Sequence, residues 1–433
     1  MQSAPEQRNS WLDQPVFSRI TLNWETILFT LIVILAIVTR FYDLGARSMS
    51  HDETSHVYFS WMFSKGQGYA HDPITHGPFQ FHVVALSYFL FGDNDTSARV
   101  PAALFSIAAV LFTWKYRRYL GRNGALVASL LLVISPYILY YGRYVRNEAF
   151  VAFYGVVGLW LTLRYMETGK NRYLYWFTAI FVLHLATKET AFIYVAQTLL
   201  FLAIYLIYRL TAQAWSTVQH RSGFLYSLIV ALLLFFFGIV IFRLQPPVNP
   251  VSAPDAAVAA PAAASGIPVS LAYAAFALGV LSIGLAIYFV IRGYGIARLR
   301  QERSFDLAML LGTLILPTLT PFLINLTNTK VPVSASQVTA LTTTDILIMA
   351  AVIVPVFIIS AVLGLWWNRR QWLINAGIWY SIFTVLYTTL FTNGAGFVTG
   401  LVGSLGYWLA QQAVNRGSQP WYYYAGLQIP IYE

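Results

Sequence analysis

Residues 76–92 read HGPFQFHVVALSYFLFG, and the threading of the whole chain turns on whether this stretch crosses a membrane. A membrane is required in any case. The chain has 433 residues, of which 58% are hydrophobic, 16% aromatic and 10% charged, with a mean hydropathy of +0.61. A soluble domain carries about 25% charged residues. Apolar runs of roughly 17–25 residues, each long enough for a bilayer core of about 30 Å, recur along the sequence. The expected fold class is therefore all-α, a polytopic transmembrane helical bundle of about 11–13 spans.

Basic residues fix the direction of the spans. Lys115, Arg117, Arg118 and Arg122 form the strongest cluster, followed by Arg292 to Arg303, Arg369 with Arg370, Lys170 with Arg172, and Arg209 with Arg221. Cytoplasmic loops collect Lys and Arg, so all of these are placed on that side. If residues 76–92 crossed, Lys115 to Arg122 would fall outside and every later basic loop would invert. The stretch holds about 14 apolar residues, a length typical of interfacial or re-entrant segments. We read 78–91 as a helix that does not cross, inside one long external loop, 43–97. Spans are then expected near 26–42, 98–115, 124–140, 148–166, 172–187, 190–208, 223–242, 269–291, 306–325, 344–366 and 372–391.

The domain reading follows. Residues 1–25 are a polar cytoplasmic tail, with no short apolar core and cleavage site, so the first span is retained. Residues 26–210 form the first transmembrane module, and 211–391 carry further spans. Residues 245–268, QPPVNPVSAPDAAVAAPAAASGIP, form a Pro/Ala-rich external linker. The 394–414 portion of 392–433 is a weak span or, preferably, an external amphipathic helix, and the chain reads as truncated at its C-terminus. The net charge of +10 is scattered between apolar runs, which excludes a nucleic-acid partner; there is no cysteine, hence no disulfide or thiolate metal site.

The polar residues of the external face are candidates for chemistry. In SMSHDETSHVYFSW, 48–61, His51, Asp52, Glu53 and His56 lie close together. Adjacent carboxylates on a helix point about 100° apart, so one can face a reaction centre while the other supports it. A general base needs such a carboxylate near a substrate hydroxyl; the alternative is a solvated acidic helix start capped by Asp52. His51 and His56 are five apart and Glu53 follows Asp52, which breaks the zincin pattern. A divalent cation, Mg²⁺ or Mn²⁺, held by carboxylates such as Asp52 and Glu148 is left open. His71 and His76 are expected to shape the loop by hydrogen bonding.

In SPYILYYGRYVRNEAFVAFY, 135–154, the threading puts Arg143, Arg146 and Glu148 on the external face, and LATKETAFIY adds Lys188 beside Glu189. Cations at helix ends commonly reach for lipid phosphates. Here three external sites combine cation with acid or imidazole, which favours recognition of an anionic ligand. Arg40 and Arg99 remain open between the two roles. QPWYYY, 419–424, could line a sugar or lipid groove.

The order TRFYDLG, SHDETSHVYF, HDPITHGPFQFHVVALSYFLFGDNDTSARVPAAL, SPYILYYGRYVRNEAF, ATKETA resembles the dolichyl-phosphate-mannose protein mannosyltransferase-like group of the GT-C membrane glycosyltransferases. Within it the chain is most similar to a prokaryotic branch labelled flippase-activity-associated proteins. The resemblance covers 26–210 by motif and the remainder by span pattern. It implies a GT-C fold and an enzyme of a prokaryotic plasma membrane with its site facing outside. The implied reaction moves a sugar, such as a mannose-like hexose, from a polyprenyl-phosphate donor to a protein or glycolipid acceptor, with inversion. It places the acidic pair on Asp52 and Glu53, with Asp52 as base or acceptor-positioning group. Arg143, Arg146 and Lys188 fall at donor-phosphate positions, with Glu148, His51, His76 and Arg99 in support. A lipid-linked-sugar flippase without transferase activity, or a ligase of pre-assembled glycans, are the competing readings.

Overall fold

The computed structural model describes residues 15–17, 20–244, 268–327, 329–411 and 420–432. Most of the Pro/Ala linker, together with residues 412–419, lies outside them. The chain divides into two units. The first comprises residues 1–197, 310–409 and 416–433, and the second 198–309 and 410–415.

In the first unit, α1 (Trp24–Phe41) is followed by two short helices, α2 (His51–Ser64) and α3 (Phe79–Phe91). At 13 residues, α3 is about 20 Å long, well short of the roughly 30 Å core of a bilayer. It starts against the backbone of another hairpin: Gly77 N–H donates to Thr187 O (3.1 Å) and Phe79 N–H to Ala186 O (2.9 Å). Position 77 must be glycine, because a Cβ there would collide with the Ala186 carbonyl. Phe81 of α3 is buried against Tyr69 (ring centroids 4.5 Å) and His56 of α2 (5.4 Å). The non-crossing reading of 78–91 fits this length and packing.

Longer helices follow: α4 (Asp95–Phe112), α5 (Arg117–Ile134), the short α6 (Pro136–Tyr141), α7 (Glu148–Thr168), α8 (Asn171–Leu185) and α9 (Ala191–Thr211), which continues into the second unit. Among the described residues, eight helical stretches are long and apolar enough to cross a membrane. Two of these bend back on themselves. In 95–134 the chain turns at Gly121 (φ 71°), and Thr113 hydrogen-bonds Ser129 across the turn. In Thr343–Tyr387 it turns at Asn368, and Phe357 meets Tyr380 (5.7 Å) across it. Both turns carry the basic clusters, Arg117 to Arg122 and Arg369 with Arg370, so each stretch holds two of the spans read from sequence. The 15-residue α8 falls below spanning length.

Two differences stand out at the ends. A two-stranded antiparallel ribbon, Pro15–Phe17 with Ile20–Asn23, lies where a plain tail was expected. Residues 395–411 form a helical segment with a π-helical turn at Thr399–Gly403, and Leu401, Val402 and Leu405 on it are buried. Before it, Thr389, Leu390 and Phe391 all take left-handed φ (51°, 54° and 69°). That conformation costs roughly 1–2 kcal/mol per non-glycine residue. Thr389 Oγ1 donates to Tyr69 O (2.7 Å), which ties the turn to the loop before α3.

Charges of the first unit collect at the two ends of its helices. At one end Arg117 pairs with Glu25 (2.5 Å) and Arg118 with Glu167. The other end carries Arg40, Glu53, Arg99, Arg146 and Glu148. Helix α7 runs from Glu148 to Thr168, about 31 Å, and so separates the two sets.

In the second unit, α10 (Val218–Arg243) packs along α11 (Val269–Phe289). Phe235 lies beside Phe276 (6.3 Å), and both Gly238 and Gly279 leave room for these rings. Glu302, buried, accepts hydrogen bonds from Gln213 (2.9 Å) and Tyr294 (3.1 Å) and pairs with Arg209 (3.3 Å).

Candidate active site

The site begins at the first turn of α2. Ser50 caps the helix, and Glu53, three residues on, closes a capping box. The two adjacent carboxylates then diverge as helix geometry requires. Glu53 points inward and is fully buried, while the Asp52 side chain is half exposed.

Glu53 is saturated. Its Oε1 accepts from Arg99 Nε (2.9 Å) and Val145 N (3.0 Å); its Oε2 accepts from Arg99 Nη2 (3.0 Å), Arg47 Nη2 (2.9 Å) and Ser50 N (3.2 Å). Burial alone would raise its pKa. The Arg99 guanidinium and the Val145 and Ser50 amides outweigh burial and hold the carboxyl below the usual glutamate range. Arg99 is also buried, and its Nη1 donates to Leu44 O and Arg47 O (2.9 Å each). With every oxygen lone pair directed at protein donors, Glu53 is placed to position the loop and not to take a substrate proton. Arg99 serves the same purpose.

Asp52 faces the open side. Its Oδ2 lies 2.5 Å from Arg146 Nη1. Arg146 Nε lies 3.7 Å from Glu148 Oε1, and the same oxygen accepts from Lys188 Nζ at 2.5 Å. Four of the residues singled out in the sequence thus form one alternating chain: Asp52, Arg146, Glu148, Lys188. Glu148 opens α7, where a carboxylate also meets the positive end of the helix dipole. Beside Lys188, Glu189 Oε2 lies 2.6 Å from His76 Nδ1. His76 holds a left-handed φ of 71° just before Gly77, so the α3 loop reaches the Lys188 turn through both backbone and side chain.

Other expected members stand apart. His51 is fully exposed at the helix start, 3.7 Å from Asp52 Oδ1. Arg143 turns away from Arg146 and donates to the carbonyls of Thr39 (2.8 Å), Arg40 (3.3 Å) and Asp43 (3.2 Å), closing the end of α1. Arg40 is buried and donates to Ser106 Oγ (3.2 Å), Leu132 O (2.8 Å) and Val133 O (2.9 Å). His71 is buried, with Nδ1 2.8 Å from Thr399 Oγ1, and burial pushes its pKa down to about 3. Arg146 lies between Asp52 and Glu148, the two carboxylates named for a Mg²⁺ or Mn²⁺ ion. Among the described residues no group of three His, Asp or Glu side chains could hold a metal.

Two participants escape sequence reasoning, and a third, His56, stands out there only by its nearness to Asp52 and Glu53. Arg47 and the Val145 amide reach Glu53 only through folding. His56 lies on the buried face of α2 with an unpartnered Nδ1; burial first, and then the neighbouring His76 and Arg146, lower its pKa to about 3, so the ring is neutral. For His56 a signal existed: it falls three residues after Glu53, on the same helical face.

Comparison with known proteins adds the following. Residues 75–240 match the family model for dolichyl-phosphate-mannose-protein mannosyltransferases, the group that the sequence motifs resemble. An uncharacterized protein of Aquifex aeolicus (strain VF5) is 26% identical over 161 residues, a match spanning 35% of this chain and 32% of that relative. The oligosaccharyltransferase of Archaeoglobus fulgidus, solved with Zn and sulfate, superposes with a TM-score of 0.39 at 13% identity, over 93% of this chain and 55% of the other. ArnT from Cupriavidus metallidurans in the apo state gives 0.37 at 16% identity, over 90% and 78%.

Proposed function

We propose that this chain is an inverting glycosyltransferase that moves a sugar from a polyprenyl-phosphate donor to a hydroxyl of a protein or glycolipid acceptor. The observation that carries the proposal is the alternating chain Asp52–Arg146–Glu148–Lys188 at one end of the first unit. Asp52 is the half-exposed carboxylate of the set, and it takes the acceptor proton. The acceptor oxygen bonds to the anomeric carbon as the bond from that carbon to the phosphate oxygen breaks. The electron pair leaves with the polyprenyl phosphate, whose growing charge needs cations already in place. Arg146 and Lys188 supply them. In the resting site both are occupied by carboxylates, so an arriving phosphate competes with Asp52 for Arg146 and frees the base as it binds.

The basic turns at the opposite end of the helices support a cytoplasmic side there and an outward-facing site here, and the resemblance to a prokaryotic branch supports a plasma membrane. A flippase that performs no transfer would favour ionisable groups near mid-bilayer. The first unit instead gathers its charges at the helix ends.

The test is incubation of the purified chain with a panel of polyprenyl-phosphate monosaccharides and acceptors, following sugar loss by mass spectrometry. Asp52→Asn should abolish transfer while melting behaviour is kept. Transfer at the wild-type rate by that variant would remove the proposed base.

A further inference from the structure

A cationic cavity lies at the same end of the first unit, and none of Asp52, Arg146, Glu148 or Lys188 lines it. Its volume is about 380 Å³, within the roughly 300–1,000 Å³ range of small-ligand sites. Arg47, Arg99 and Arg143 line it together with Tyr140, and Leu44, Pro136 and Leu139 supply apolar walls.

The charge balance here differs from that of the candidate active site. The active-site chain alternates in sign and is neutral when ionised. In the cavity three guanidinium groups share one carboxylate, because Glu53 serves both Arg99 and Arg47. The described hydrogen bonds of Arg143 go to backbone carbonyls, and buried Arg40, whose carbonyl it also touches, adds a further cation. Arg47 is preorganised: its side chain is nearly half exposed and lies over two rings, with Cζ 5.2 Å from the Tyr140 centroid and 5.0 Å from Tyr144. Excess positive charge beside apolar walls is the complement of an anionic head on a greasy stem.

We propose that this cavity is a second anion site that binds the phosphate of a lipid, with the phosphate between Arg47 and Arg143 and the first carbons of the chain on Leu44, Pro136 and Leu139. The assignment stands whether or not the chain transfers a sugar.

The test uses the full-length protein in neutral detergent, native mass spectrometry, and farnesyl phosphate as probe. The double variant Arg146→Met with Lys188→Met supplies a background in which both active-site cations are gone. In that background one farnesyl phosphate should still bind, and adding Arg47→Gln should weaken it by about tenfold or more, the loss expected for a charge-assisted hydrogen bond. Leu139→Trp, which fills the cavity without touching a charge, should do the same and covers the case in which Arg47→Gln fails to fold. Farnesol should not compete, and inorganic phosphate should compete only weakly. Unchanged binding in both variants overturns the site. Equal binding of farnesol makes it an apolar cleft only, and equal binding of inorganic phosphate removes the lipid from the assignment. Absence of sugar transfer by the wild-type protein, with binding that still follows Arg47, would sink the proposed function and leave this site standing.

Discussion

Glu53→Gln separates support from chemistry within one acidic pair. In the wild-type fold Glu53 is fully buried and holds Arg99, itself 1% exposed, through two hydrogen bonds of 2.9 and 3.0 Å. Glutamine keeps the shape but removes the charge, which leaves a buried guanidinium without its counter-ion. Breaking a buried pair in this way costs about 3–5 kcal/mol. The Asp52–Arg146 pair is far more exposed, and Asp52→Asn should cost only about 0–1 kcal/mol. The difference is directly measurable by hydrogen exchange in detergent, because Glu53 accepts from the amides of Ser50 and Val145. In Glu53→Gln both amides should exchange at least about a hundredfold faster, the factor that some 3 kcal/mol gives when local opening controls exchange. In Asp52→Asn they should remain protected. A Glu53→Gln protein with wild-type melting and protection but no sugar transfer would refute the reasoning and make Glu53 a direct participant in the reaction.

Two further outcomes follow from the same groups. Glu53 has a lowered folded pKa, so its contribution is complete above the ordinary glutamate value and is lost as pH falls through the lower folded value; the melting temperature should drop on that acid limb and drop less in Glu53→Gln. His56 and His71 are held neutral, with folded values of about 3 against 6.5 when unfolded, so stability should also fall as pH is lowered from 6.5 towards 3, and His56→Phe should flatten that slope in thermal scans. Gly77→Ala places a methyl against the Ala186 carbonyl and should destabilise by about 1–3 kcal/mol, read as a lower melting temperature.

Much of this architecture is legible in the sequence because it is local. Span ends follow apolar runs, and α7, α8 and α11 begin and end within about two residues of their expected limits, inside the usual scatter of helix boundaries. The shortness of α3 follows from counting apolar residues, and the divergence of Asp52 from Glu53 from the 100° step of a helix. What stays hidden is tertiary. Nothing in the neighbourhood of Arg143 and Arg146 tells that three residues send one guanidinium to cap α1 and the other to Asp52. The Glu53–Arg99 pair joins positions 46 apart and the His76–Glu189 pair positions 113 apart. Such pairings depend on how helices are brought together, which periodicity does not encode. The two basic turns do fall at reversals of the chain, as their charge predicts, yet the tightness of each reversal keeps it within one helical stretch.

The clasp between Gly77, Phe79 and the carbonyls of Ala186 and Thr187 has a consequence for engineering by recombination. Because the α3 loop borrows its first hydrogen bonds from the Lys188 turn, and Tyr69 is pinned by Thr389, three stretches far apart in sequence behave as a single inheritable block. A chimaera importing residues 69–92 alone from a relative keeps those backbone donors only if it also brings a glycine at 77, because a Cβ there would meet the Ala186 carbonyl; one importing 69–92, 184–190 and 387–403 together brings the facing turns with it.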